Sequence, residues 1–293
     1  MEADALIIRT RTRCDHTLLH DTPIRAIASA TIGYDHIDTA YCDKHGIAWS
    51  NAPGCNSASV RQWVGGCLEA LAHKLGFKLQ WLTLGIVGVG NVGSKVAELA
   101  TGMGMKTLLC DPPRALHESG FVGMERILAE ADIITLHTPL TDSTRHMIGA
   151  EQFKAMKPDS ILVNSSRGEV VDNSALLDAL RAGTIKAAAL DVWENEPHIS
   201  KELLEEVTIA TPHIAGYSAD GKAAGTSAAV RFIAKSLDIE PLKSWTAQSI
   251  PPAHEPVYDI LQDDAALRSN PQDFERLRSE YPVRREPLFK TYR

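Results

Sequence analysis

The sequence predicts an α/β fold in which helices cover both faces of a parallel sheet, and two patterns support this prediction. Short apolar runs typical of buried parallel strands recur along the chain, and helix-like segments separate most of them. One run, at 84–89, leads directly into a glycine-rich turn and a helix-like segment. Alternation of this kind predicts a doubly wound sheet with right-handed crossovers. The runs interpreted as strands are residues 5–8, 24–28, 47–50, 84–89, 107–110, 132–137, 160–164 and 187–190, and the stretch 207–217 supplies one more.

The composition is that of a globular chain large enough for two domains. Of its 293 residues, 44% are hydrophobic and 23% are charged. The formal net charge of −7 argues against a nucleic-acid-binding surface. No apolar run approaches the roughly 20 residues that a membrane span needs, and Met1 is followed by the acids Glu2 and Asp4 rather than by a basic signal-peptide start. We therefore expect a cytoplasmic enzyme that binds neither nucleic acid nor membrane.

The cysteines predict neither a disulfide framework nor a metal centre. Their number, five, is odd, and they show neither CxxC spacing nor a zinc-ligand spacing with histidine. Cys55 lies in a predicted loop and is interpreted either as a reactive thiol or as a small buried side chain, the second being favoured. We expect reduced thiols and no bound metal.

The glycine-rich turn at 88–93 predicts a Rossmann-type dinucleotide site. If the GVGNVG pattern is a dinucleotide fingerprint, Gly88 makes the tight turn, Gly90 lets the backbone approach a pyrophosphate, and Gly93 allows a helix to pack closely against a strand. Asn91 and Val92 complete the turn at the start of the helix, where an anion would bind. The pattern alone is weak, since any glycine-rich turn matches it by chance.

The context of Asp111 strengthens the nucleotide interpretation. Asp111 ends the next predicted strand, 18 residues after Gly93, near the position of the acid that binds a ribose 2′-hydroxyl in dinucleotide folds. A carboxylate there would repel a 2′-phosphate, which favours NAD over NADP. The alternatives are a solvated loop aspartate and, because Arg114 is nearby, some tolerance of NADP.

Three later residues, Arg167, Glu196 and His213, each follow a predicted strand. Oxidation of a 2-hydroxy acid by hydride transfer needs a cation for the carboxylate, a base for the hydroxyl proton and a group that holds the base, and these residue types supply the three needs. Taken singly, each also fits an ordinary structural role: a surface ion pair, a solvated loop acid or a core histidine.

The loop after the first predicted strand contains three arginines and two threonines, RTRTR at 9–13. Arginine forks match phosphate and carboxylate geometry, so this loop is a candidate anion neighbour. The alternative is a solvated charged turn. Another small-residue turn, around Thr31, follows the next predicted strand. Further on, the adjacent Gly65 and Gly66 lie inside a predicted helix and indicate close packing against another helix or a second subunit.

Four motifs in order resemble the D-isomer-specific 2-hydroxyacid dehydrogenase family: the turn at 88–93, NSSRGEVVDN at 164–173, DVWENEP at 191–197 and TPHIAG at 211–216. The resemblance implies that the chain is an NAD-dependent oxidoreductase. The roles it implies are substrate carboxylate binding by Arg167, acid/base catalysis by His213 paired with Glu196, and NAD contacts by Thr138, Asp191 and Gly216.

Other stretches resemble the branch of that family that oxidises 4-phospho-D-erythronate on the route to pyridoxal phosphate. They are LCDPPR at 109–114, NAPGCN at 51–56, HIAGYSADGKAAGT at 213–226, YDILQDDAALR at 258–268 and YPVRRE at 281–286. This resemblance implies a small phosphorylated 2-hydroxy acid as substrate and makes Thr10, Thr31 and Tyr217 candidate substrate-binding residues. It also makes the arginine-rich loop a credible phosphate neighbour.

The expected domain organisation follows from the same resemblance. Residues 1–56 plus 215–240 are expected to form a smaller flavodoxin-like substrate domain, the lid, and 57–214 the NAD-binding domain. Residues 241–293 are expected to form a proline-rich linker and a C-terminal dimerisation segment, giving a homodimer. Members of the family usually have an additional strand–helix unit before the segment at 5–12, so a sheet edge is expected to be exposed. Trp81 departs from the usual pattern and is interpreted as a partner surface.

Three rival interpretations remain at this stage. The first is another D-2-hydroxyacid dehydrogenase, of the 3-phosphoglycerate or glyoxylate/hydroxypyruvate type. The second is a non-catalytic NAD-sensing binding protein of the same fold, and the third is an inactive, shortened enzyme.

Overall fold

The computed structural model describes residues 3–248, 257–286 and 288–292. The chain forms two compact units. Their described parts are residues 3–58, 217–248 and 283–286 in unit 1, and residues 59–216, 257–282 and 288–292 in unit 2. The part of the predicted linker at 249–256 lies outside the described residues.

The strands and helices of the described residues are numbered in chain order. The strands are β1 (Ala5–Ile8), β2 (Ala26–Ser29), β3 (Ala48–Ser50), β4 (Thr83–Val87), β5 (Lys106–Cys110), β6 (Ile133–Leu136), β7 (Ile161–Asn164), β8 (Ala187–Leu190) and β9 (Ile209–Ala210). The helices are α1 (His16–Leu19), α2 (Thr39–His45), α3 (Ser57–Leu75), α4 (Asn91–Gly102), α5 (Pro112–Ala115), α6 (Met124–Glu130), α7 (Ala150–Ala155), α8 (Asn173–Arg181), α9 (Lys201–Glu206), α10 (Ala219–Ser236), α11 (Ile260–Ser269) and α12 (Phe274–Ser279). Short 3-10 turns occur at Gly168–Val170, Glu240–Leu242 and Pro271–Asp273.

Unit 1 is built on a parallel sheet of order β1-β2-β3. The central strand β2 is fully buried, which agrees with its apolar sequence. One cluster of buried side chains fills the space between the strands and α1 and α2, and a second lies between β2 and α10. Because parallel strands share one carboxyl edge, the loops that follow β1 and β2 lie at the same edge of this sheet.

Unit 2 contains a six-stranded parallel sheet of order β5-β4-β6-β7-β8-β9. The chain runs outward from β4 to β5 and returns to place β6 on the other side of β4, so the strand order reverses at β4. In doubly wound sheets ligands bind at the carboxyl ends of the strands next to such a reversal. Strands β6, β7 and β8 are buried along their whole length, as expected for a sheet covered on both faces. The predicted α/β fold with parallel sheets is confirmed.

The C-terminal helices α11 and α12 pack on unit 2. Leu267 and Phe274 belong to its main apolar cluster. The buried Asp264 accepts hydrogen bonds from the Ala210 N–H at 2.8 Å and from Arg268 Nε at 2.9 Å. Arg268 also donates to the carbonyl of Val207. The C-terminal segment from residue 257 onward, called the tail below, therefore contributes to the core of unit 2, and its Asp264 binds the end of β9.

The adjacent glycines in α3 explain how the tail comes so close. A Cβ on Gly65 would lie 2.5 Å from the ring of Phe289, and one on Gly66 would lie 3.5 Å from the ring of Tyr258. A close contact with another helix or a second subunit was expected from these glycines, and the structure shows contact instead with Tyr258 and Phe289, which lie outside the helices. Any second subunit at this helix remains a prediction.

Trp81 stands out on the surface of unit 2. Its side chain is 71% exposed, and its φ of 74° lies in the left-handed region that bulky residues rarely adopt. Its N–H donates to the Gly104 carbonyl at 3.0 Å, which holds the turn before β4. The interpretation of Trp81 as a partner surface remains a prediction.

The described cysteines are all free thiols, and every one except Cys55 is buried. Burial raises the pKa of Cys55, so its thiol is unlike an activated thiolate. Within the described ranges, His, Cys, Asp and Glu side chains do not gather into a group of three that could hold a metal ion. Among the same residues, none of the helices combines the length and apolar character that a membrane crossing requires.

Candidate active site

The turn between β4 and α4 is shaped by two glycines that have no room for a side chain. Gly88 has φ = 85°, and a Cβ on it would lie 2.6 Å from the carbonyl oxygen of His137. A Cβ on Gly93 would lie 2.0 Å from the carbonyl oxygen of Gly88. These contacts fold the turn tightly against β6 and bring the start of α4 against β4.

The opposite side of this turn is open and suits a nucleotide. No described atom lies within 4 Å of a Cβ built on Gly90, and Asn91 beside it is exposed while Val92 is half-buried. Thr138 follows β6, and its buried Oγ1 has no hydrogen-bond partner among the described residues. A buried hydroxyl without a partner is costly unless a ligand satisfies it. The site therefore fits a dinucleotide. The groups available to bind it are the N-terminus of α4, the backbone at Gly90 and the Thr138 hydroxyl.

Asp111 lies directly after β5, next to the same turn. Its Oδ2 accepts from the Val89 N–H at 2.8 Å, and its Oδ1 accepts from the Arg114 N–H at 3.1 Å. The guanidinium of Arg114 is paired with Glu118 and donates to the Val89 carbonyl at 2.5 Å. Arg114 is therefore engaged, and the charge facing a ribose here is the Asp111 carboxylate, which favours NAD.

The second part of the candidate site is a histidine–glutamate pair. His213 Nδ1 lies 2.7 Å from Glu196 Oε2. The other oxygen of Glu196 accepts from the Trp193 N–H at 3.0 Å, and Arg278 Nη1 lies 4.0 Å from Oε2. Because the carboxylate holds Nδ1, Nε2 is the ring atom of His213 left to exchange a proton with a ligand.

The surroundings of Glu196 keep it ionised. Burial raises its pKa, but His213, the Trp193 N–H and Arg278 outweigh burial, and the net shift is downward. A carboxyl whose pKa is lower in the folded than in the unfolded state stabilises the fold above its unfolded pKa. Glu196 therefore contributes stability at neutral pH, and this contribution disappears as the pH falls through its folded pKa.

Asp191 anchors the turn that carries His213. It is 1% exposed, its Oδ1 accepts from Thr211 Oγ1 at 2.6 Å and from the Ile214 N–H at 2.8 Å, and its Oδ2 accepts from the Ala215 N–H at 2.9 Å. Its carbonyl accepts from the His213 N–H at 2.7 Å. These bonds hold His213 at φ = 54°, a strained value for a non-glycine residue. The sequence indicated Asp191 as an NAD contact, and the structure adds that both of its carboxylate oxygens bind this turn. Gly216 follows the turn.

Arg167 lies in the loop after β7. Asn164 Nδ2 donates to the Arg167 carbonyl at 2.8 Å, and Arg167 Nη1 donates to the Ser166 carbonyl at 2.7 Å. The next residue, Gly168, is so close to the loop after β8 that a Cβ on it would lie 2.0 Å from the carbonyl of Trp193. The structure therefore joins the loop of Arg167 to the segment that leads to Glu196.

Sequence reasoning missed several residues that support this site. Trp63 in α3 is fully buried, and its Nε1 donates to Thr211 Oγ1 at 3.0 Å. Trp193 Nε1 donates to the Thr211 carbonyl at 3.1 Å. Arg278 comes from α12, 82 residues along the chain from Glu196. Local sequence patterns gave no signal for these contacts. Buried tryptophans are nevertheless typical of a well-packed core, and here they pack beneath the turn that carries His213.

The candidate substrate-binding residues lie in unit 1. Thr10 is exposed after β1. Thr31 follows β2, and its Oγ1 lies 2.7 Å from Ser29 Oγ and donates to the Gly33 carbonyl at 3.1 Å. The ring of Tyr217 lies 5.1 Å from Lys222 Nζ. The structure thus places both threonines at the carboxyl edge of the small sheet.

The comparisons with known proteins agree with the fold. Residues 56–215 match the NAD binding domain of the D-isomer specific 2-hydroxyacid dehydrogenases, and the chain belongs to this family. It is therefore an NAD-dependent oxidoreductase. Structures to which the chain is similar include an Aquifex aeolicus D-lactate dehydrogenase complexed with NAD and lactic acid, at TM-score 0.68, 28% identity and coverage of 85% of this chain and 88% of that one. An NAD⁺-bound Entamoeba histolytica 3-phosphoglycerate dehydrogenase gives TM-score 0.72 and 28% identity, with coverage of 85% and 83%.

Within the family, the chain is similar to proteins named erythronate-4-phosphate dehydrogenase. The relative from Bacteroides fragilis is 48% identical, with 97% of this chain and 86% of the relative covered. The relative from Porphyromonas gingivalis is 42% identical, with 97% and 84% covered.

Proposed function

We propose that this dehydrogenase oxidises 4-phospho-D-erythronate at C2, giving 2-oxo-3-hydroxy-4-phosphobutanoate, in the biosynthesis of pyridoxal phosphate. The observation that carries the proposal is the similarity, at 42–48% identity over 97% of the chain, to proteins named for this substrate. The histidine–glutamate pair of unit 2 supports it, because oxidation of an alcohol needs a base.

The proposed chemistry assigns one task to each residue. Nε2 of His213 takes the C2 hydroxyl proton, while Glu196 holds Nδ1 and stabilises the charge that the ring then carries. NAD held at the β4–α4 turn would supply the acceptor for the hydride of C2. The Arg167 guanidinium binds the substrate carboxylate and orients the acid. In the reverse direction, protonated His213 returns the proton to the oxygen.

The proposed cofactor contacts are the residues of the β4–α4 turn and of the neighbouring strand ends. Asp111 binds the ribose hydroxyls, and the N-terminus of α4 binds the pyrophosphate. The remaining contacts are assigned to Gly88, Gly90, Asn91, Val92, Gly93, Thr138, Asp191 and Gly216. In unit 1, we assign the substrate to Thr10, Thr31 and Tyr217. Unit 1 then serves as the substrate domain and unit 2 as the cofactor domain.

Replacing Asp111 with asparagine tests the cofactor assignment. The amide keeps a carbonyl acceptor but loses the charge, so we expect KM for NAD to rise about tenfold, a typical effect of losing a charged hydrogen bond. The preference for NAD over NADP should fall as well. Steady-state kcat/KM for both cofactors measures this, with Glu98→Gln, an exposed acid in α4, as the control variant. An unchanged NAD/NADP ratio in Asp111→Asn would show that Asp111 does not read the ribose.

The substrate assignment predicts a clear order among acids. We expect NADH formation from 4-phospho-D-erythronate with kcat/KM at least about 100-fold above that for 3-phosphoglycerate or glycolate, since a site that binds a phosphate rejects acids that cannot place one there. The assay follows absorbance with and without a 2-keto acid as hydride acceptor. A higher kcat/KM for 3-phosphoglycerate or glycolate would contradict the substrate assignment and place the chain in another branch of the family.

A binding protein that senses NAD is the second candidate function. The fold supports it because a dinucleotide site can regulate partner binding without turnover. If NAD binds but no acid of the panel is oxidised, this function replaces the first.

We also propose that the enzyme works in the cytoplasm as a homodimer. The free thiols fit a reducing compartment. Exposed apolar side chains within the C-terminal segment, Val257 and Leu288, support a second copy as partner.

A further inference from the structure

Three elements of unit 1 meet at the carboxyl edge of its sheet: the loop after β1, the first turns of α10, and the segment 283–286. Helix α10 lies unusually close to the strand ends. A Cβ on Gly225 would lie 2.4 Å from the Ala30 carbonyl oxygen, and one on Gly221 would lie 3.2 Å from the Asn56 Cα. The small residues of α10 therefore set its first turns against the loops that follow β2 and β3.

The segment 283–286 is fixed to the start of α10. The Ala219 N–H donates to the Arg284 carbonyl at 2.8 Å, and Arg285 Nε lies 3.0 and 2.8 Å from the two oxygens of Asp220. Glu286 adds two contacts, since its N–H donates to Asp220 Oδ2 at 3.1 Å and its carboxylate accepts from the Ser218 hydroxyl at 2.6 Å. Arg284 is 5% exposed. The segment 283–286 is thus held by hydrogen bonds against the start of α10, at the carboxyl edge of the sheet of unit 1.

The arrangement gathers cations at this edge. The Ala30 N–H donates to the Ile8 carbonyl at 2.9 Å, and the Ala30 carbonyl is the group that Gly225 of α10 approaches, so the loop that begins at Arg9 lies beside α10. Partial burial lowers the pKa of Lys222, and the nearby positive charges of Arg9 and Arg284 lower it further. Two acids lie nearby: Asp220 of α10 pairs with Arg285, and the Glu286 carboxylate accepts from the Ser218 hydroxyl. Like charges held together repel, and an anion placed among them removes that repulsion.

We propose that Arg9, Lys222 and Arg284 form the subsite that binds the phosphate of the substrate. This inference rests on the proposed function and adds two residues, Lys222 and Arg284, to the loop already considered. A phosphate monoester carries nearly two negative charges, arginine forks suit its oxygens, and lysine adds a point charge. The Tyr217 ring, 5.1 Å from Lys222 Nζ, orients the lysine head.

The subsite predicts a loss of binding rather than of chemistry. Lys222→Met and Arg284→Met should each raise KM for 4-phospho-D-erythronate about ten- to hundredfold, the usual effect of losing one charged hydrogen bond, and change kcat little. Activity with unphosphorylated D-erythronate should be unchanged, so the variants lose selectivity for the phosphate. Lys222→Arg and Arg284→Lys, which keep the charge, should recover most of the affinity.

Lys235→Met provides a matched control, because Lys235 is an exposed lysine in the last turn of the same helix. Its KM should equal that of the wild-type enzyme. If Arg284→Met fails to fold by circular dichroism, the decision rests on Lys222→Met and Arg284→Lys. A KM for Lys222→Met equal to that of Lys235→Met overturns the subsite.

Calorimetry with inorganic phosphate separates this inference from the proposed function. If the wild-type enzyme does not oxidise 4-phospho-D-erythronate, the proposed function fails. The subsite still stands if the wild-type enzyme binds inorganic phosphate and Lys222→Met does not. If the wild-type enzyme oxidises the substrate and the Met variants keep the wild-type KM, the subsite fails alone.

Discussion

Replacing His213 with alanine is expected to lower kcat by about 10²–10⁴-fold, the usual contribution of a positioned general base, and to leave NAD affinity unchanged. The reason is geometric. Glu196 holds Nδ1 at 2.7 Å, so Nε2 is the atom available for proton transfer, and alanine has no group to replace it. Single-turnover NADH formation measures the chemical step, and fluorescence titration measures NAD binding.

Two further variants sharpen this experiment. Glu196→Gln keeps the shape of the partner but not its charge, so its turnover should fall between those of the wild type and His213→Ala. Unit 2 also contains a second histidine–glutamate pair, in which His146 Nε2 lies 2.6 Å from Glu194 Oε1. This pair lies outside the proposed catalytic residues, and His146→Ala should retain wild-type turnover. Near-full activity of His213→Ala, or equal losses in the His213 and His146 variants, would contradict the assignment.

The sequence predicted those parts of the molecule that local rules determine. Buried parallel strands are written as continuous apolar runs, and polar residues directly after them lie at one sheet edge. For that reason Arg167, Glu196 and His213 were identifiable as candidates, and the approach of His213 to Glu196 was expected. The glycine turn was also recognisable from the sequence, because the backbone environments of Gly88 and Gly93 exclude a side chain.

Contacts between distant segments were not predictable in this way. The sequence shows Asp191 as a strand-end acid, but its bonds to the turn at 211–215 depend on how β8 and β9 pair. Likewise, Arg278 and Arg284 lie in the C-terminal segment, for which the sequence predicted a linker and a dimerisation segment but no contacts of individual residues. Their neighbours, Glu196 and Lys222, are far away in the sequence, and only the folded tail brings them together.

Gly168 is a further residue of this kind, and Gly168→Ala is expected to destabilise unit 2 by about 3 kcal/mol or more. A methyl group there would lie 2.0 Å from both the carbonyl carbon and the oxygen of Trp193, and 2.5 Å from the Glu194 nitrogen. These are backbone atoms that cannot rotate away, so one of the two loops must move. Because one loop carries Arg167 and the other leads to Glu196, the same movement should lower kcat/KM even where the protein still folds.

Gly102→Ala is the matched control: the same substitution is expected not to lower the free energy of unfolding. Gly102 is the last residue of α4, and apart from its chain neighbours and the backbone of its own helix no described atom lies within 4 Å of a Cβ built on it. Alanine there reduces the freedom of the unfolded chain and should be neutral or stabilise by up to about 1 kcal/mol. Urea unfolding of the two variants, with kcat/KM measured at a temperature where both are folded, makes the comparison. Equal midpoints for Gly168→Ala and the wild type would show that the loops after β7 and β8 are not locked together at Gly168. A large loss of stability with wild-type kcat/KM would instead separate this contact from the geometry of Arg167 and Glu196.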